Sequence, residues 1–286
     1  MIHELIKAHD NISINSARAE PSGKPHGVVQ IIHGFGEGLI HYEGIAEFFA
    51  DNNYVCIVHD QRGFGDMRDM PPRKMKQTRG VTPGYRYLLE DIKTMRERID
   101  TWYPDLPVIL FGHSMGGNLV VNHLLENEDR YAKAILEAPW FRLYKPLPQL
   151  ANTVAKVVGK ASSNVTIPAH VNIDNISRNK HITNNLRHDG IYHNRMSLRL
   201  YSEVVEAGEY AIENAGKISI PTLLMCPGGD KIVCPNAIRE FAACANDNVV
   251  FVEYPDAYHC LHADIINEEV MTTVLRFCNG EIMGKG

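Results

Sequence analysis

Ser114 lies in the run VILFGHSMGGNLVV (residues 108–121), where branched apolar residues lead into Gly112-His113-Ser114-Met115-Gly116. Gly-x-Ser-x-Gly between a strand and a helix marks a tight turn that lifts its serine above the carboxyl end of the strand. Such a turn is strained for any residue with a Cβ, so its flanks must be minimal. Gly112 and Gly116 meet that need, and Gly117 adds clearance. A helix starting near Met115 would aim free N–H groups and its positive dipole end at the hydroxyl. A glycine-rich turn with an incidental serine is the plainer alternative; the apolar strand before and the helical pattern after favour the chemical reading.

A serine hydroxyl attacks only if a base takes its proton. Among fourteen histidines, His259 in VVFVEYPDAYHCLHAD follows the last strand and precedes the last helix. That is the place for the base in a Ser…Asp…His chain order. His262 is its rival, already toward the helix. The base needs a carboxylate to set its tautomer and stabilise the imidazolium. Asp230 in PTLLMCPGGDKIV follows a strand and two glycines. Asp256 is nearer in sequence, but three residues of tight loop would rarely aim it at the ring. The expected triad is Ser114, Asp230 and His259.

The oxyanion needs donors already in place. The Met115 N–H is one candidate. The Phe35 N–H is the other, in IIHGFGEG after the strand Val28–Ile32, where glycines allow close backbone approach. As a dinucleotide fingerprint this stretch fails, because Leu39 stands where a third glycine is required. His33 and Glu37 are expected to brace the loop, Asp60 and Arg62 to pair or cap at a strand end, and His113 to be packed. His181, His188 and His193 lack metal-site spacing and are expected at the surface. The basic residues Arg73, Lys74, Lys76 and Arg79 suit a solvated loop. No metal and no organic cofactor is expected.

The elements that must hold these residues alternate. HELIKA and ISINSARA flank a polar tip and suggest an N-terminal hairpin. Short apolar runs follow at Val28–Ile32, Tyr54–Val58, Val108–Phe111, Ala134–Leu136, Thr222–Met225 and Val249–Tyr254, as in strands buried on both faces. Helical spacing lies between them, most clearly at Leu88, Ile92, Met95, Ile99 and Trp102. The class is therefore α/β with a mainly parallel sheet. From Pro139 to about Ile218 there is no convincing strand, which predicts a mostly helical insertion.

The 286 residues are 44% hydrophobic and 22% charged, with a formal net charge of −5. That length suits one large domain with an insertion. No basic face for nucleic acid is indicated. The first ten residues hold two acids and no long apolar run, so no signal peptide is expected, and no stretch is long enough for a membrane span. Six scattered cysteines without a CxxC pair are expected as reduced thiols of a cytoplasmic protein.

The motifs HGFGEG…HY, HDQRGFG, GHSMGG, GGDKIV and YHCLHAD, in that order between residues 33 and 264, resemble the α/β-hydrolase superfamily, specifically its monoacylglycerol lipase and lysophospholipase branch. The resemblance implies a mainly parallel eight-stranded sheet flanked by helices (residues 1–138 and 219–286). It also implies a cap at 139–218, inserted after the sixth strand. It places nucleophile, acid and base on Ser114, Asp230 and His259, and oxyanion donors on Phe35 and Met115. Two positions depart from the family pattern, with Gly38 where a histidine is frequent and Met67 where a serine is common.

The expected activity is hydrolysis of single-chain acyl esters through an acyl-enzyme. The alternatives are a carboxylesterase or thioesterase for small acyl groups, and a silent ligand-binding relative. A haloalkane dehalogenase is excluded, since its elbow carries a carboxylate. In the insertion, Leu143, Leu147, Leu150, Val154, Val157 and Val158 recur at helical spacing. The stripe could pack on the core. Alternatively, Leu147 and Leu150 line an acyl channel, with Trp140 and Phe141 near its entry. Transient membrane or micelle contact through the cap is a further expectation.

Overall fold

Ten strands and nine helices are found among the described residues, 1–169 and 171–284, of a computed structural model. The strands are β1 (Ile2–Lys7), β2 (Ser13–Ala19), β3 (Gly27–Ile32), β4 (Tyr54–His59), β5 (Val108–His113), β6 (Lys133–Glu137), β7 (Thr166–Pro168), β8 (Arg195–Ser197), β9 (Thr222–Pro227) and β10 (Val249–Tyr254). The helices are α1 (Glu43–Asp51), α2 (Pro72–Thr78), α3 (Tyr85–Trp102), α4 (Met115–Asn127), α5 (Gln149–Ala161), α6 (Lys180–His188), α7 (Leu198–Glu213), α8 (Pro235–Cys244) and α9 (Asn267–Cys278).

Eight strands form one sheet in the order β1-β2-β4-β3-β5-β6-β9-β10. The β1/β2 and β2/β4 pairs are antiparallel and the rest are parallel. Every residue of β3, β4, β5 and β9 is buried, which is why these segments read as largely apolar runs; Gln30 in β3 is the polar exception, its amide donating to the Ile92 carbonyl (3.1 Å). Side chains still alternate between faces. Val28 and Ile32 join a core with Ile92 and Met95 of α3 and Leu119 of α4, while Val29 and Ile31 join one with Phe49 of α1 and Phe277 of α9. The sheet is thus covered on both sides, and its central strands end at one edge where the site is built.

The insertion differs from expectation in one respect. Thr166–Pro168 and Arg195–Ser197 pair antiparallel, with Ile167 opposite Met196. Strands of three residues leave too little periodicity to be read from sequence. The last part of the insertion belongs to the core. Leu200, Val204, Ala211 and Ile212 of α7 are buried in it, and Asn118 and Asn122 of α4 donate amide hydrogen bonds to the Val204 (3.2 Å) and Ala207 (3.1 Å) carbonyls. The residues Pro72–Thr78 form a helix with no buried residue, not a loop, so Arg73, Lys74 and Lys76 lie on an exposed helix with Arg79 at its end. None of the described helices is long and apolar enough to cross a membrane.

Candidate active site

Ser114 is the single residue between β5 and α4, held at φ 55° and ψ −117°. Positive φ on a β-carbon-bearing residue is strained and persists only where its surroundings enforce it. They do so by proximity. A Cβ on Gly116 would lie 2.0 Å from the Ile32 carbonyl oxygen, and one on Gly112 would lie 2.6 Å from that of Gly116. The Ser114 N–H donates to the Glu137 carbonyl (2.9 Å), and the Ser114 carbonyl accepts from the Trp140 N–H (2.9 Å).

The structure brings Ser114, Asp230 and His259 together. His259 Nε2 lies 2.8 Å from Ser114 Oγ, and His259 Nδ1 donates to Asp230 Oδ2 at 2.6 Å. Since the carboxylate can only accept, Nδ1 carries the proton and Nε2 is free to accept from the serine. Asp230 Oδ1 accepts from the Ile232 (2.6 Å) and Val233 (3.1 Å) N–H groups, which fixes its orientation. Burial would lower the proton affinity of His259, but the Asp230 charge and hydrogen bond, with Glu37 and Glu137 nearby, raise it above the ordinary imidazole value. The rivals are elsewhere. Asp256 is exposed, and His262 Nδ1 is engaged 2.9 Å from both carboxylate oxygens of Glu137.

The loop after β3 lies against the serine, since a Cβ on Gly34 would sit 3.2 Å from Ser114 Cβ. Glu37 holds this loop by accepting from the Gly34 N–H and the Tyr42 hydroxyl, both at 2.7 Å. Burial would push the Glu37 carboxyl up, but the surrounding histidines and the Tyr42 bond hold it down at about 2. His33 Nε2 accepts from the Gln61 N–H (2.9 Å), so its Nδ1 donates to the Gly34 carbonyl (2.8 Å). Among the described residues the Phe35 N–H makes no internal hydrogen bond. The Met115 N–H opens a helix, where the first donors have no intrahelical acceptor.

Above Ser114 lies a cavity of about 300 Å³, mostly apolar, under the insertion. Trp140, Leu143, Leu147, Ile167, Met196 and Tyr201 contribute to its walls beside Phe35 and His259. Phe141 and Leu150 are not among the lining residues, which corrects the expected channel. Phe141 is 1% exposed and stacks on Phe241 of α8, with ring centroids 4.5 Å apart. Leu150 is 77% exposed on the outer face of α5. Gly38 and Met67, the two departures from the family pattern, line no part of the cavity.

Other expectations also need correcting. His193 is buried, stacked on Phe64 at 5.3 Å and 10°, and burial pushes its ring down to about 4. Asp60 and Arg62, by contrast, cap and pair beyond the end of β4 as expected, each with other partners. Asp60 accepts from the Leu39 N–H (2.8 Å), and Arg62 donates to Asp91 at 2.6 and 2.7 Å and to Asp10 at 2.9 Å. Sequence reasoning passed over Glu137, which is fully buried beside His113 and His262. Its one signal was a carboxylate ending the apolar run AIL.

The family described as serine aminopeptidase, S33 (Hydrolase_4) matches residues 23–266. The chain belongs to that family. It is 30% identical over 247 residues to a putative monoglyceride lipase of Schizosaccharomyces pombe, covering 84% of this chain and 64% of that one. It is 28% identical over 268 residues to an uncharacterised abhydrolase domain-containing protein of Dictyostelium discoideum, covering 92% of this chain but 27% of that one. The chain therefore spans less than two thirds of both relatives. The fold matches a soluble variant of monoglyceride lipase from Saccharomyces cerevisiae in complex with a substrate analog, with a TM-score of 0.85, 20% identity and coverage of 98% and 96%. This α/β-hydrolase fold is the one implied by the sequence motifs.

Proposed function

We propose that this family member is a serine hydrolase that cleaves esters of single acyl chains, of the monoacylglycerol or lysophospholipid type, through an acyl-enzyme. The observation that carries the proposal is the chain Asp230–His259–Ser114 ending beneath an apolar cavity. His259 takes the hydroxyl proton as Ser114 Oγ attacks the ester carbonyl. The negative charge on the former carbonyl oxygen is received by the Phe35 and Met115 N–H groups. His259 then protonates the departing alcohol and afterwards activates the water that releases the acid. Asp230 stays ionised and holds the imidazolium.

The cavity supports a single chain. Its walls are largely aliphatic and aromatic, and each methylene buried there contributes about 0.8 kcal/mol. At about 300 Å³ it falls at the low end of ligand pockets, which disfavours a bulky triacylglycerol. A fluorophosphonate probe is expected to label Ser114 in the wild type and nothing in Ser114→Ala. Rates across a chain-length series of monoacylglycerols and lysophospholipids are then expected to rise from acetate toward longer chains. Labelling with no rise would leave a small-ester hydrolase, and absence of labelling would leave a binding protein.

A further inference from the structure

The loop that carries the Phe35 N–H is held from two sides. On the inner side, Glu37 binds the Gly34 N–H and the Tyr42 hydroxyl. On the outer side, the insertion sends in the turn that follows α6. The His193 N–H donates to the Gly36 carbonyl (3.1 Å), and a Cβ on Gly36 would lie 2.4 Å from the His193 carbonyl oxygen. Gly36 sits at φ 80°, so glycine there serves both the conformation and the close approach.

The same turn is tied down through one imidazole. The Gly38 N–H reaches His41 Nδ1 at 3.0 Å, and His41 Nε2 lies 2.9 Å from Asp189 Oδ2. A backbone N–H can only donate, so Nδ1 accepts and Nε2 carries its proton to the carboxylate. The other Asp189 oxygen accepts from the Ile191 (2.7 Å) and Tyr192 (2.9 Å) N–H groups. A chain of bonds thus runs from the loop at Gly38, through His41 and Asp189, to the backbone of the turn. It closes on itself, because His193 returns to Gly36. With side chains 14% and 20% exposed, the pair is not one that solvent screens away. Tyr192 lines the cavity, whereas His41 and Asp189 line no part of it.

We infer that His41 and Asp189 are positioning residues: they seat the 189–193 turn on the loop, so that the Phe35 N–H is aimed at the developing oxyanion. This role rests on the hydrolase reading and deepens it, since the insertion then sets the rate of the chemistry as well as covering the cavity. Donors already in place give their benefit in the transition state. Loosening the seat therefore slows turnover more than it weakens substrate binding. A contact that only packed the insertion would act on stability, and one that only shaped the cavity would act on KM.

His41→Ala, Asp189→Ala and the double variant are compared with the wild type in ester hydrolysis and in hydrogen–deuterium exchange. Each single variant is expected to lower kcat about tenfold, short of the roughly 10²–10³-fold loss when a donor is removed outright. KM should change by less than about twofold. The double variant should match the singles, because breaking one link already opens the ring. His41→Gln should restore most of the rate, since its amide again offers one acceptor and one donor. In His41→Ala, exchange should rise together in residues 34–38 and 189–193 while β5 and β6 stay protected. Additive losses, a loss confined to KM, or a Gln variant as slow as Ala would overturn the role. So would raised exchange with wild-type kcat, or no rise in exchange. Absence of hydrolysis and of Ser114 labelling in the wild type would count against the proposed activity alone, since exchange still decides whether the pair seats the turn.

Discussion

The elbow and the cap helix α5 both look apolar and small in sequence, yet opposite pressures shape them. At Gly116 an added Cβ would sit 2.0 Å from a backbone oxygen. On α5 the buried residues are Ala155 and Gly159, while Leu150, Val154 and Val157 are 77%, 52% and 65% exposed. The small residues of α5 face inward because α7 crosses closely, with a Cβ on Gly159 only 2.6 Å from Arg199 Cα. Its large apolar residues are left outside. Sterics inside the chain thus account for the elbow, but among the described residues no packing covers Leu150, Val154 and Val157 on the outer face of α5. That face is where the membrane or micelle contact expected of the cap would be tested.

Removing the nucleophile should have the largest effect. Ser114→Ala is expected to lower turnover by about 10³–10⁶-fold with the fold retained, leaving only background catalysis from the oxyanion donors. Circular dichroism together with ester hydrolysis checks both halves. Asp230→Asn should follow at about 10³–10⁴-fold, because an amide no longer selects the Nδ1-protonated tautomer. Asp256→Asn, exposed and off the triad, should leave the rate unchanged. A reversed order of these two variants would remove the assignment of the acid.

Stability should separate the two regions as sharply as activity does. Gly116→Ala must displace the β3 backbone and is expected to cost more than about 3 kcal/mol in urea unfolding, whereas Val154→Ala should cost less than about 0.5 kcal/mol. Similar losses at both positions would show that α5 is packed more tightly than its exposure indicates.

A milder effect is expected from pH. His259 must be neutral to act, and the Asp230 interaction raises its proton affinity despite burial. A raised value means the base is protonated, and activity lost, already above the usual imidazole midpoint as pH falls. The kcat/KM profile in EDTA should therefore drop through a midpoint above about 6.5. Glu37 also raises the affinity, so Glu37→Gln should move the midpoint downward. An unmoved midpoint would confine the effect to Asp230 and Glu137.

The limits of the sequence reading follow from the same contrast. The sheet was legible because its central strands are buried on both faces and thus continuously apolar, and the elbow because only glycine fits it. The spacings of Asp230 and His259 at strand ends were equally plain. What could not be read was direction. The stripe from Leu143 to Val158 has helical period, but periodicity does not say which partner a face meets, and here α5 turns most of it outward. His193 looked like one more polar residue of a loop; only the fold sets it on Phe64. Glu137 and His262 meet from positions 125 residues apart, so no local pattern announces them.

The smallest effects divide the cap itself. Leu147 lines the cavity over Ser114, while Leu150, three residues on, does not. Leu147→Asp should therefore weaken long acyl chains relative to acetate, by about fourfold in kcat/KM for each methylene that loses its contact, following about 0.8 kcal/mol per buried methylene. Because acetate barely enters the apolar walls, its rate serves as the internal control. Leu150→Asp should leave both monomeric substrates unchanged, since its side chain meets solvent and not substrate. Its effect should emerge only when the ester is presented in micelles or vesicles, where a charge on the outer face of α5 opposes contact with the lipid surface. If Leu150→Asp instead discriminated between dissolved long and short esters, α5 would have to rotate its outer face into the cavity during turnover. The division between a lining residue and a surface residue would then describe only one state of the cap.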